Sequence, residues 1–159
     1  MKKLIFLFIV FFSNIIFSQI KVDTAGDFWD KEVNSALNII KSTNIDTYDW
    51  VVDNVYRISI WNQSYNSFEI VDGKAIILLS SSNFGRGSVN NIASTIVHET
   101  YHINHRFEKN NVCEEELQAY LFELNFLFKI KDVENWLVEF VYDQASKYRV
   151  KIEKGECGK

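Results

Sequence analysis

Two hydrophobic periods divide the chain. Trp29, Val33, Ala36-Leu37 and Ile40 recur three and four residues apart, which predicts a helix over residues 27–41 with one face on a core. Asp27 suits its start as a cap, and Thr43-Asn44 suits its end. Tyr48, Val51-Val52 and Val55 fit a second, short helix over 47–55. The period then drops to two. Residues 56–61 alternate, with Tyr56, Ile58 and Ile60 on one face and Arg57, Ser59 and Trp61 on the other. Ser67–Val71 reads as a second strand and Lys74–Ser80 as a third, the latter with the unbroken run Ile76-Ile77-Leu78-Leu79. Asp72-Gly73 between them is a hairpin turn signal. A small antiparallel sheet is the expected product.

Ser80-Ser81-Ser82-Asn83 and Gly85-Arg86-Gly87 break the pattern, and helical spacing then returns. Ser88 or Asn90 caps a helix expected over 88–107. A short connector leads to another over 113–129, with Leu117, Tyr120, Leu121, Leu124 and Phe128 as its core stripe. A last helix over 132–150 carries Val133, Trp136-Leu137, Phe140-Val141 and Tyr148, an apolar stripe read as core rather than as a partner-binding surface. Helix, sheet, then three helices is an α+β arrangement.

The N-terminus follows neither period. Met1-Lys2-Lys3 is positive, Leu4 to Phe12 is uninterrupted and apolar, and Ile15-Ile16-Phe17-Ser18 offers a cleavage site before Gln19. Broken by Ser13-Asn14, the stretch to Phe17 totals about 14 residues, short of the roughly 20 that span a bilayer. A removable signal peptide over residues 1–18 is therefore expected rather than a membrane anchor. Residues 19–159 then form one exported domain, periplasmic or secreted, with no stable membrane span after cleavage, and a monomer.

Composition narrows the class further. Of the 159 residues 47% are hydrophobic, including 13 Phe, 7 Tyr and 4 Trp, enough to build one core. With 17 Lys and Arg against 21 Asp and Glu the net charge is −4, which argues against a nucleic-acid partner. There is no proline, and no linker or repeat is evident. Export also changes how Cys113 and Cys157 read. In an oxidising compartment two cysteines tend to pair, tying the C-terminal tail to the start of the 113–129 helix; two free thiols are the alternative. Neither has the partner spacing of a metal ligand.

The chemistry concentrates in His98-Glu99-Thr100-Tyr101-His102. Residues four apart on a helix share a face, so His98 and His102 aim two imidazoles at one point, which suits zinc. Glu99, about 100° around the helix, is placed to hold a water on the metal and take its proton. The preceding Ile92-Ala93-Ser94-Thr95-Ile96-Val97 suits a helix packed inside a domain. A catalytic zinc needs a third protein ligand and an open position. His105 lies about 10 Å from His98 along the axis, too far to join the same ion, and reads as a nearby or surface residue. The next helix, antiparallel after its connector, offers Glu116 at the height of His102, with Glu123 two turns on as the rival. Glu116 borders the apolar stripe and is preferred. Glu114 and Glu115 are better placed for solvent, where they complement the helix dipole.

These residues make the chain resemble a gluzincin, an HExxH zinc peptidase whose third ligand is a Glu on a later helix. Glu116-Leu117-Gln118-Ala119 matches the ExxA pattern of several branches. The resemblance spans roughly residues 70–128 and is greatest to compact single-domain members, which keep a short sheet and two metal-bearing helices. It implies a zincin-like fold, Zn2+ held by His98, His102 and Glu116, and Glu99 as the catalytic base. It also implies a peptide or protein substrate aligned along the residue 76–79 strand as a sheet edge. The second subdomain of large gluzincins is missing, so a shallow cleft is expected. Tyr101, Tyr120 and Arg106 are candidates for stabilising the oxyanion. The expected function is an exported zinc-dependent metallopeptidase; the alternative is a zinc-stabilised binding or inhibitory module without turnover.

Overall fold

A computed structural model describes residues 20–23, 26–84, 88–105 and 112–157. The expected signal segment and Arg106 lie outside the described residues. Within them the architecture is α+β. The chain runs β1 (Lys21–Asp23), α1 (Asp27–Thr43), α2 (Ile45–Asn54), β2 (Arg57–Trp61), β3 (Ser67–Val71), β4 (Lys74–Ser80), a 3₁₀ turn (Ser81–Asn83), α3 (Val89–His105), α4 (Val112–Leu127) and α5 (Asn135–Glu153).

Local chemistry sets most of these ends. Asn44 closes α1 through its N–H to the Ile40 carbonyl, and its side chain accepts from the Thr47 N–H to open α2. At the start of α1 the capping position falls to Gly26, not Asp27: the Gly26 carbonyl already accepts from Trp29 and Asp30. Ser88 caps α3, its Oγ accepting from the Asn91 N–H at 3.1 Å. Asn90 instead donates to Glu134 Oε2 at 3.0 Å, joining the starts of α3 and α5.

The sheet is mixed, not antiparallel, and has four strands in the order β1-β2-β4-β3. β1, β2 and β4 run parallel; only β3 is antiparallel, to β4. After β2 the chain passes the neighbouring position, forms β3 on the outside, and turns back at Asp72-Gly73 to insert β4 in the middle. Both turn residues have positive φ, 50° and 75°, as a type I′ hairpin requires. The strand expected at the edge is thus central. Ala75, Ile76, Ile77 and Leu79 are all buried, and such an unbroken apolar run belongs to a strand covered on both faces. Among the described residues the edge strands are β1, only three residues long, and β3, with Glu69 exposed at its midpoint.

The main core lies between the sheet, α1 and α3, and includes Val33, Ile40, Ile58, Ile77, Ile92 and Ile96. A smaller cluster joins α4 to α5 through Leu124, Leu127, Leu137, Val141 and Ala145. Three residues expected in the core are exposed. Phe128, 71% exposed, follows the end of α4. Trp136 and Phe140, 45% and 52% exposed, sit one position before the Leu137–Val141–Ala145 ridge and so point about 100° away from it. Beyond α5, Cys157 forms a disulfide with Cys113 at the head of α4. No helix among the described residues is long and apolar enough to cross a membrane.

Candidate metal centre

α3 is the most enclosed helix, buried without a break from Ile92 to Thr100. That enclosure fixes the backbone from which His98 and His102 project. Their Nε2 atoms face each other at 3.1 Å. Glu116, from the facing α4, brings Oε2 to 3.8 Å from His98 Nε2 and Oε1 to 3.6 Å from His102 Nε2. A metal about 2.1 Å from each donor, in tetrahedral geometry, spaces them about 3.4 Å apart. The observed spacings bracket that value, and the donor set of two imidazoles and a carboxylate could hold a metal ion.

The other ring nitrogens explain why the two imidazoles are aimed this way. His98 Nδ1 lies 3.0 Å from Glu123 Oε2, and His102 Nδ1 lies 2.8 Å from Glu115 Oε1. A carboxylate accepts, so each Nδ1 is the N–H that donates, and each Nε2 is left as an acceptor. With both imidazoles neutral, two Nε2 lone pairs and a carboxylate converge with no donor between them. Such a nest of acceptors calls for a cation. Its proton affinity tells the same story: burial alone would depress the His98 imidazole, but its Glu123 hydrogen bond and the charges of Glu123, Glu99 and Glu116 hold it above its usual value.

Glu123 and Glu115 therefore hold the two imidazoles from behind, and Glu123 stands outside the His98, His102 and Glu116 cluster. Glu115, expected to face solvent, is half-buried against His102. No motif spacing marks it; its role becomes visible only once α4 docks on α3. Glu114 is exposed, as expected. His105 takes no part in this cluster. It stacks on Tyr101 with ring centres 3.9 Å apart, and its Nδ1 lies 2.9 Å from the Tyr101 carbonyl. Both line a different depression with Trp50 and Phe122, which takes Tyr101 away from the metal donors.

Glu99 lines the main cleft beside the ligands and is only 7% exposed. Burial pushes its carboxyl up to about 7; His98 opposes the rise, while Glu116 and Glu123 add to it. The cleft has a volume of about 540 Å³. One wall is the 64–66 loop and the first residues of β3; the other is Tyr120 with Phe140 and Tyr148 of α5. The loop is pinned: Asn66 Oδ1 accepts from the Ser80 N–H at 2.8 Å, Ser80 Oγ donates to the Gln63 carbonyl, and Trp61 Nε1 donates to the Tyr65 carbonyl at 2.9 Å. The Tyr120 ring packs on His98, with centres 4.5 Å apart. Burial first, then the nearby carboxylates, raises the Tyr120 phenol, so its hydroxyl stays protonated and able to donate.

No protein-family model, curated protein or solved structure matches the chain.

Proposed function

We propose that the chain is a zinc-dependent metallopeptidase of the gluzincin kind, with His98, His102 and Glu116 as ligands and Glu99 as the general base. The observation that carries this is the convergence of two Nε2 atoms and one carboxylate at the floor of an open cleft, with a second, non-ligating carboxylate beside them. Two imidazoles with one carboxylate favour zinc over magnesium or calcium, which take oxygen donors. A purely structural zinc is usually closed by four protein ligands, whereas three donors and an adjoining cleft suit turnover. That difference favours the enzyme over a zinc-stabilised binding module.

Bound zinc supplies Lewis acidity that makes water nucleophilic near neutral pH. Glu99 accepts the proton released in the attack and hands it to the leaving amine. Tyr120, protonated and packed beside His98, would donate a hydrogen bond to the developing oxyanion. The free β3 edge, not β4, would align the peptide. Export, a peptide or protein substrate and a monomeric state belong to the same proposal.

Metal analysis with a matched peptidase assay tests it. The purified chain should carry about one zinc, and Glu116→Ala should lose most of it. Glu99→Gln should keep the zinc and lose hydrolysis by about 10²-fold or more. A wild-type chain that takes up no zinc after supplementation would overturn the proposal.

A further inference from the structure

We infer that the cleft selects a peptide segment that lays a large aromatic side chain against Phe140, Tyr148 and Tyr120 and carries neutral or basic neighbours rather than acidic ones. The peptide nature of the ligand rests on the peptidase reading; the selectivity rests on the walls of the cleft.

Three aromatic rings form this wall. Phe140 and Tyr148 lie eight residues apart on α5, on one face of the helix, and both line the cleft. Tyr148 stacks on Tyr120 with ring centres 5.8 Å apart, and Tyr120 in turn packs on His98. Aromatic surface thus runs from the α5 face down to the metal donors. Phe140 lines the cleft and is 52% exposed, although the ridge that holds α5 to α4 is complete without it. A large apolar ring left open in a cleft gains most from a ligand ring laid on it.

Charge sets the second preference. Glu99, Glu116 and Glu123 line the cleft, and Glu115 stands behind His102. One divalent ion balances two of these four carboxylates. No lysine or arginine lines the cleft among the described residues. Lys151 lies over the Tyr148 ring, 4.8 Å from its centre, and is not part of the lining. An acidic side chain in the ligand meets uncompensated negative charge, whereas a basic one is attracted. The opposite wall, Ser64 to Phe68, offers uncharged polar groups and the open β3 edge, which suits an extended main chain.

Binding to the zinc-loaded Glu99→Gln chain, followed by fluorescence anisotropy, reads the selectivity without turnover. The probes are labelled nonapeptides with a central Phe or Ala, flanked by Ser, Lys or Glu. Phe should bind about tenfold more tightly than Ala, and Glu flanks should weaken binding about tenfold relative to Lys. In the Phe140→Ala, Glu99→Gln double variant the Phe preference should fall to about twofold; Phe140 is exposed, so its loss leaves the fold intact. Equal binding of Phe and Ala peptides, a preference unchanged by Phe140→Ala, or no binding by any peptide would overturn the inference. Wild-type hydrolysis without a Phe preference would sink this inference and leave the peptidase standing. Selective binding with no wild-type hydrolysis would do the reverse.

Discussion

At the residue scale, the braces decide how well the ligands work. Glu115 and Glu123 each hold the ring orientation of one histidine of the proposed zinc site. Removing such a partner typically lowers metal affinity 10–100-fold. Glu115→Gln and Glu123→Gln should each weaken zinc binding by about that factor, measured by competition with a chromophoric chelator. An unchanged affinity in both would mean that the ligands are fixed by packing alone. Glu99 carries a different cost. Its folded carboxyl titrates near 7, above the ordinary 4.5, so the metal-free fold holds this proton more tightly than the unfolded chain does. The resulting stability is complete below about 4.5 and is lost as pH rises through 7. Metal-free Glu99→Gln should therefore exceed the wild type in stability at pH 8, by about 2–3 kcal/mol. The gap should close towards pH 5, which urea titrations at the two pH values would resolve; an equal gap at both would refute the assignment.

At the scale of elements, α4 is what assembles the site, since it brings Glu115, Glu116 and Glu123 to α3 together. Its head is tied to the tail beyond α5 by Cys113–Cys157, 44 residues apart in sequence. Replacing both cysteines with serine should cost roughly 3–4 kcal/mol in denaturant unfolding, because the open chain regains its loop entropy. A loss below about 1 kcal/mol would show that α4 and α5 hold each other by packing alone. The helices and the placing of His98 beside His102 on one helix face were legible in the sequence because a period of 3.6 and an i, i+4 pair are local properties. Strand order was not. Alternation reports which face is buried, not which strand lies beside which, and β1, three residues long, is too short to establish a period. The run Ile76-Ile77-Leu78-Leu79 did hold the signal that β4 is central, since an edge strand seldom stays apolar on both faces. Glu115 and Phe140 escaped for the opposite reason: their roles depend on how two helices dock, which no single-helix pattern encodes.

At the scale of the molecule, two apolar clusters of unequal size meet on α4, whose Phe126 belongs to the main core and whose Leu124 and Leu127 belong to the cluster with α5. The cleft opens along this seam, with the sheet on one bank and α5 on the other. The bank formed by the sheet ends in β3, whose outer backbone groups are free to pair with another chain. A second copy of the protein would be the most abundant candidate. Turned antiparallel about its midpoint, however, Ser67–Val71 sets Glu69 against the Glu69 of the other copy, and like charges directly opposed across a ladder repel. One carboxylate would thus act as a gatekeeper, open to a foreign strand while turning away its own kind. Glu69→Val should remove that bar and produce concentration-dependent dimers or larger species in sedimentation velocity runs, where the wild type should stay a monomer.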